Sequence, residues 1–249
     1  MLVNNGIARN IGPGRAWVGW ARRWAALGIA TIRVDLAGLG DSSHRPGAPV
    51  ATYPAGAVDD LRDIIELAQQ YGLGPIAIGG VCSGAYVAID AAVHVDGVAG
   101  VFAVNGQYWY WPDGPGAHDP TRRAARRTPA WFQRAMRTRG GWKLDNTLPA
   151  PAWWLFDAAR LTPRPSRMLQ RASAKTRVRV VYGTDDEGIV RLRQRDPRGL
   201  RRLMSGADPV VVTCDGLDHS MFDPVHRDDV EQLALAFFRS VLGAAELPA

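Results

Sequence analysis

The stretch that decides the fold is Ile76-Ala77-Ile78-Gly79-Gly80-Val81-Cys82-Ser83-Gly84-Ala85-Tyr86-Val87-Ala88-Ile89. A short apolar run leads into a glycine pair, a Cys-Ser dipeptide and a further glycine, and a small apolar helix-forming segment follows at once. This pattern is typical of a strand that turns sharply into a helix and holds one side chain out at the apex. Gly80 and Gly84 flank Cys82 at the spacing that lets strand and helix approach without a clash. An ordinary glycine-rich junction would share these features, so the interpretation depends on the rest of the chain.

Predicted strands and helices alternate along most of the chain. The strands are expected at residues 2–4, 30–35, 75–79, 98–104, 178–182 and 209–214. The helices are expected at 16–27, 55–71, 84–94, 189–204 and 224–242, where apolar residues recur at helical spacing. Such alternation predicts an α/β fold with a mostly parallel sheet covered by helices on both faces.

Acidic residues and a histidine follow two later strands. Asp185 and Asp186 come after the strand predicted at 178–182, and His219 comes after the strand predicted at 209–214. The carboxyl ends of parallel strands are where open α/β sheets collect their ligands. A nucleophile in such a sheet needs a base, and the base needs a group that orients it, in the chain order nucleophile, acid, histidine. We therefore predict Cys82 as nucleophile, His219 as general base and then acid, and an aspartate as the orienting group.

Two alternatives stay open for these roles. Ser83 could be the nucleophile instead of Cys82, although Val81 then fills a flanking position that favours a small residue. Asp185 could be the acid instead of Asp186, with the other aspartate capping the helix that follows. A helix N-terminus beside the elbow would favour the thiolate form of Cys82.

Over nearly its whole length the chain resembles an α/β hydrolase. The motifs that carry the resemblance are Asn5-Gly6, Asp35-Leu36-Ala37-Gly38-Leu39-Gly40-Asp41-Ser42, Gly80-Val81-Cys82-Ser83-Gly84, Gly183-Thr184-Asp185-Asp186 and Gly216-Leu217-Asp218-His219. The resemblance implies Asp186 as the acid, three residues after Gly183. It also implies an oxyanion hole built from the backbone N–H groups of Ser83 and Ile7.

A narrower similarity is to the exosortase A system-associated hydrolases, which are described as serine-aminopeptidase-like. It rests on the elbow, on Asn105, Gln107 and Tyr110-Trp111, and on Trp142-Lys143-Leu144. Cysteine at the elbow also resembles the dienelactone hydrolases. Two departures from the superfamily are expected: the two strands that usually lead the sheet are apparently absent, and Asn5-Gly6 replaces the usual His-Gly.

Between residues 106 and 173 the alternation stops, and the resemblance implies an inserted helical lid there. We therefore expect a hydrolase core at 1–105 and 174–249, with residues 106–173 as the lid or cap. Residues 106–175 contain eleven arginines and two lysines against four aspartates, a net charge of +9, whereas the rest of the chain carries a net charge of −3. The tryptophans of the predicted lid form either its core or the wall of a pocket. If they form a pocket, the candidate substrate-binding residues are Trp109, Trp111 and Gln107.

These features predict a hydrolase that acts on an ester or thioester acyl group. The alternatives are an acyltransferase in exopolysaccharide or natural-product assembly and, in another class, a non-catalytic binding module on a degenerate hydrolase fold. The expected substrate is a small-molecule or carrier-linked acyl group with an anionic part, and no cofactor, metal or nucleic acid is implied. No apolar run approaches the ~20 residues of a membrane span, so we expect no membrane insertion. Two cysteines make no disulfide framework, and a reactive thiol favours a cytoplasmic location.

Overall fold

A single parallel sheet organises the molecule. The computed structural model describes residues 1–3, 6, 9–46, 53–54, 56–107, 148–159 and 165–243. Its six described strands lie in the order β2-β1-β3-β4-β5-β6, and every neighbouring pair is parallel. They are β1 Leu2–Val3, β2 Arg33–Val34, β3 Ile76–Val81, β4 Val98–Val104, β5 Arg177–Gly183 and β6 Val211–Cys214. Each overlaps a strand expected from the sequence, so the predicted parallel sheet is confirmed.

Helices cover both faces of this sheet, as predicted. The helices are α1 Ala16–Ala26, α2 Ala57–Gln70, α3 Ser83–His94, α4 Ala150–Ala158, α5 Pro165–Ser173, α6 Glu187–Arg195, α7 Pro197–Leu203 and α8 Pro224–Leu242. One buried cluster joins the sheet to α1 and α8, and the other joins it to α2, α3 and α5–α7. On α1 the helical spacing of Trp17, Trp20 and Trp24 turns all three rings inward, where they stack in sequence.

The helical stretch predicted at 189–204 is not one continuous helix. The expected helix at 189–204 is two helices, α6 and α7, which meet at Asp196. Asp196 caps α7 because its Oδ1 accepts a hydrogen bond from the N–H of Gly199 at 3.0 Å. Pro197, at the first position of α7, has no N–H to continue α6.

The predicted lid is described only in part, since residues 108–147 and 160–164 lie outside the described residues. Within the expected range 106–173, α5 packs against α3 and β5, and Leu169 and Ala172 belong to the buried cluster of the sheet. Among the described residues, no helix combines the length and apolarity that crossing a membrane requires.

The order of strands places the elbow at the centre of the molecule. The chain moves from β1 outward to β2 and then returns across β1 to β3, so the direction of winding reverses between β1 and β3. In open α/β sheets, ligands bind in the crevice at such a reversal. Cys82 follows β3 directly and precedes the first residue of α3.

The backbone at Cys82 is strained, with φ 54° and ψ −116°. A non-glycine residue in this region carries a cost of about 1–3 kcal/mol, which the surroundings must offset. They do so through close packing: a Cβ on Gly80 would lie 2.4 Å from the carbonyl carbon and oxygen of Gly84. The spacing of glycines seen in the sequence is therefore a contact between strand and helix backbones.

Replacing Gly80 by alanine tests this contact. The added methyl group would meet backbone atoms of α3, which cannot turn aside as a flexible side chain can. We expect Gly80→Ala to lower the free energy of unfolding by about 3 kcal/mol in urea denaturation. Gly19→Ala is the control, because a Cβ there meets only the end of the Arg23 side chain at 3.3 Å. Equal stability of the two variants would contradict the packing argument.

Candidate active site

An aspartate and a histidine from neighbouring strand ends meet beyond the sheet. The Nδ1 atom of His219 lies 2.6 Å from Oδ2 of Asp186. Asp186 follows β5 and its side chain is 1% exposed, whereas the side chain of His219, which follows β6, is 39% exposed. A buried carboxylate that holds Nδ1 fixes the orientation of the imidazole and leaves Nε2 for another partner.

Of the two neighbouring aspartates, Asp186 is the one that contacts His219. Asp186 caps α6, since its Oδ1 accepts from the N–H of Gly188 at 2.7 Å while its Oδ2 faces His219. Asp185 is exposed. The two roles weighed from the sequence, helix cap and partner of the histidine, thus fall on one carboxylate.

Asp186 and Cys82 both act on the protonation of His219. The hydrogen bond to Asp186, followed by the interaction with Cys82, raises the pKa of His219 from 6.5 to about 10, although burial opposes it. An imidazole with this pKa is protonated at neutral pH. The half-buried Cys82 also sits at the N-terminus of α3, where the helix dipole favours a negative charge.

Ser83 is placed differently from Cys82. Its side chain is buried, and its Oγ accepts a hydrogen bond from the N–H of Gly6 at 2.6 Å. The hydroxyl therefore ties the loop after β1 to the first turn of α3. The backbone N–H of Ser83 belongs to the first turn of α3, where N–H groups lack an intrahelical acceptor.

A close backbone approach and two hydrogen bonds hold the loop of His219 in place. Gly183 ends β5 so near the following loop that a Cβ would lie 2.1 Å from the carbonyl oxygen of Leu217. The carboxylate of Asp218 accepts from the N–H groups of Ser220 and Asp223, each at 2.9 Å. Burial, the largest single influence, raises the pKa of Asp218, but the backbone hydrogen bonds together outweigh it and lower that pKa below its ordinary value.

Asn105 is the residue at this site whose contacts the sequence did not indicate. It enters the sequence analysis only as part of a family resemblance, yet its side chain reaches Gly183, Asp218 and His219. A buried asparagine directly after a central strand is a local signal, but its partners lie 78 to 114 residues away along the chain.

Tyr53 was not anticipated either. Its ring meets the ring of Tyr86 edge-on with centroids 5.6 Å apart. Burial, followed by the charges of Cys82 and Glu187, raises the pKa of Tyr53, so its hydroxyl keeps its proton. Tyr86 itself packs in the core.

The remaining candidates fall into two groups. Ile7, Trp109 and Trp111 lie outside the described residues, and Gln107 is half-buried just beyond β4. Of the lid tryptophans that are described, Trp153 is buried and stacks on the guanidinium of Arg195 at 4.1 Å, whereas Trp154 is 54% exposed. Burial lowers the pKa of Arg195 to about 9.

Comparison with known proteins identifies the family. The chain belongs to the alpha/beta hydrolase family, whose sequence model matches residues 8–234. Membership supports a hydrolase at the level of the superfamily. No functionally curated protein matches the chain.

Solved structures show the same fold at low sequence identity. A thermophilic esterase from Thermogutta terrifontis is 19% identical, with a TM-score of 0.51 over 97% of this chain and 89% of its own. A monoacylglycerol lipase from Paleococcus ferrophilus is 17% identical, with a TM-score of 0.54 over 96% and 94%. A protein from Thermus thermophilus is 17% identical, with a TM-score of 0.55 over 98% and 89%. At these identities the likeness concerns the fold alone.

Removing the Asp186 carboxylate tests the electrostatics of the site. In Asp186→Asn the largest cause of the raised pKa is gone, so the pKa of His219 should fall from about 10 toward 6.5. The imidazolium then loses its proton at lower pH, and the alkaline limb of kcat/KM for an activated ester should move to lower pH. We expect kcat to fall on the order of 10²- to 10⁴-fold, because the amide favours the wrong imidazole tautomer.

Asp185→Asn is the matched control, since that neighbouring carboxylate is exposed. NMR titration of the His219 ring and pH–rate profiles of both variants provide the measurements. An unchanged His219 titration in Asp186→Asn would contradict the assignment.

Proposed function

We propose that the protein hydrolyses an activated ester or thioester acyl group through Cys82, His219 and Asp186. The observation that carries the proposal is the contact of His219 Nδ1 with Asp186 at 2.6 Å, at the edge of the sheet where Cys82 stands between β3 and α3. The strained elbow backbone at Cys82 adds support, because it is the geometry that exposes a nucleophile above an α/β sheet. The narrower similarity to exosortase-associated hydrolases stays a prediction.

The first half of the reaction acylates the thiol. The Cys82 thiolate attacks the acyl carbonyl carbon, a C–S bond forms, and the carbonyl π electrons move to oxygen. When this intermediate collapses, the bond to the leaving oxygen or sulfur breaks, and the imidazolium of His219 donates its Nε2 proton to the leaving group.

The second half releases the acid. Neutral His219 takes a proton from water, the water oxygen attacks the acyl–cysteine carbonyl, and the C–S bond breaks. Cys82 leaves as a thiolate beside the renewed imidazolium. Asp186 keeps the imidazole in the tautomer that both steps need.

The negative charge on the carbonyl oxygen calls for N–H donors. We assign this task to the backbone N–H of Ser83 at the start of α3 and, as in the sequence prediction, to that of Ile7. The hydrogen bond from Gly6 to the Ser83 hydroxyl supports the assignment, because it holds Gly6, the residue before Ile7, at the N-terminus of α3. A thiolate nucleophile and an activated leaving group together favour esters and thioesters over unactivated amides.

Single-residue variants assign the nucleophile. With p-nitrophenyl acetate, we expect Cys82→Ala to lower kcat/KM on the order of 10³-fold or more. Ser83→Ala should lower kcat/KM only about 10-fold, through the lost tie to Gly6. Cys214→Ala is the control, since burial, followed by the charges of Asp229 and Asp215, raises the pKa of that thiol. Mass spectrometry after brief mixing with substrate should find the acetyl group on Cys82.

The three alternative hypotheses, Ser83 as nucleophile, a binding module and an acyltransferase, predict different outcomes. Loss of activity in Ser83→Ala but not in Cys82→Ala would make Ser83 the nucleophile. If ester hydrolysis by the wild type is no faster than the uncatalysed reaction, and Cys82→Ala, Ser83→Ala and His219→Ala leave it unchanged, the protein is a non-catalytic binding module. Capture of most of the acyl group by an added sugar in place of water would make the protein an acyltransferase.

A further inference from the structure

We propose that Asn105 is a positioning residue that holds His219 in register with Cys82. The inference rests on the proposed function, since it concerns the geometry of the same pair. Asn105 follows β4, the strand between β3, which leads to Cys82, and β5, which leads to Asp186. It is 0% exposed, and its backbone has a φ of 50°.

The side chain of Asn105 connects the loops of the acid and the base. Its Oδ1 accepts from the N–H of Gly183 at 2.9 Å, at the start of the loop that carries Asp186. Its Nδ2 donates to the carbonyl oxygens of Asp218 and His219, each at 3.0 Å. Partner chemistry therefore fixes the orientation of the amide: the N–H group requires the oxygen, and the two carbonyls require the NH₂ group.

The backbone on either side of Asn105 connects to the nucleophile. The carbonyl of Val104 accepts from the N–H of Cys82 at 2.9 Å, and the N–H of the same peptide group, on Asn105, donates to Val181 at 2.9 Å. One peptide thus holds the elbow on one side and β5 on the other. The side chain that follows it holds the backbone of the histidine.

Asparagine combines two properties that this position needs. It tolerates a positive φ better than most residues, which turns its side chain from the strand toward the loop after β6. It also offers two donors and one acceptor, which match the three partners, and an aspartate would place an oxygen against two carbonyl oxygens. Asp186 orients the imidazole ring, whereas Asn105 sets the backbone from which that ring projects.

A residue that only stabilised the fold would change the folded fraction and leave the chemistry of folded molecules intact. A positioning residue also changes kcat at constant KM and the reactivity of Cys82 toward a reagent that needs no substrate pocket. Iodoacetamide is such a probe, because it alkylates a cysteine directly and that reaction is faster where a histidine stands beside the sulfur.

The experiment compares three variants of the full chain with the wild type. Asn105→Gly keeps the backbone conformation and removes all three side-chain hydrogen bonds. Asn105→Asp keeps the acceptor for Gly183 and loses both donors. Ser166→Ala is the control for lost stability, since Ser166 is a buried polar residue on α5 that donates to Asp196, outside the site.

In both Asn105 variants we expect kcat for p-nitrophenyl acetate to fall about 10²-fold with KM changed less than about twofold, the effect of a misplacement near 1 Å. Alkylation of Cys82 at pH 7, followed by mass spectrometry relative to Cys214, should slow on the order of 10-fold. Ser166→Ala should lower the melting temperature and leave both rates unchanged.

The inference is overturned if both Asn105 variants show the same kcat and alkylation rate as Ser166→Ala. It is also overturned if Asn105→Asp keeps the wild-type values of both rates. The alkylation measurement needs no turnover. If wild-type hydrolysis proves independent of Cys82, the proposed function fails, while slowed alkylation in the Asn105 variants would still support the positioning role.

Discussion

The structure depends on the contact between the backbones of Gly80 and Gly84, where the end of β3 meets the first turn of α3 with no room for a Cβ. Because the two elements are this close, the residue between them must leave the allowed backbone regions, and Cys82 does so. The packing around it is strong enough to hold that strain, since α3 is buried from Ser83 to Val93. A local steric constraint thus sets the backbone from which the Cys82 side chain projects, at the point where the sheet reverses its winding.

Around this apex, electrostatics and geometry are supplied by different residues. Asp186 acts on charge, because its carboxylate holds the proton of His219. Asn105 is neutral, and its partners among the described residues are backbone groups, so it acts on distance. The hydroxyl of Ser83, in turn, connects the start of α3 to Gly6 on the other side of the elbow. The site is accordingly assembled by hydrogen bonds from five segments, which follow β1, β3, β4, β5 and β6 of the same sheet.

The features predicted correctly from the sequence are those encoded within a few neighbouring residues. Glycines two positions from Cys82 indicate the elbow, and the alternation of apolar runs indicates the parallel sheet with helices on both faces. The prediction of Asp186 as the acid rests on an equally local signal, its spacing from Gly183. What could not be predicted depends on partners remote in sequence: the amide of Asn105 and the hydroxyl of Ser83 find theirs 77 to 114 residues away. The helix break at Asp196 was missed for another reason. Apolar residues keep their helical spacing across Asp196, and Pro197 is the local signal for a new helix.

A sulfur atom at the elbow also makes the site sensitive to oxidation. A half-buried cysteine is a group that peroxide converts to a sulfenic acid, a reaction open to no serine hydroxyl. Many redox-active proteins protect such a group by forming a disulfide with a second cysteine. Here the second cysteine of the chain, Cys214, ends β6, three interstrand spacings or roughly 14 Å from β3. Disulfides need Cα atoms within about 7 Å, so this chain has no internal partner for an oxidised Cys82, and recovery would depend on an external thiol.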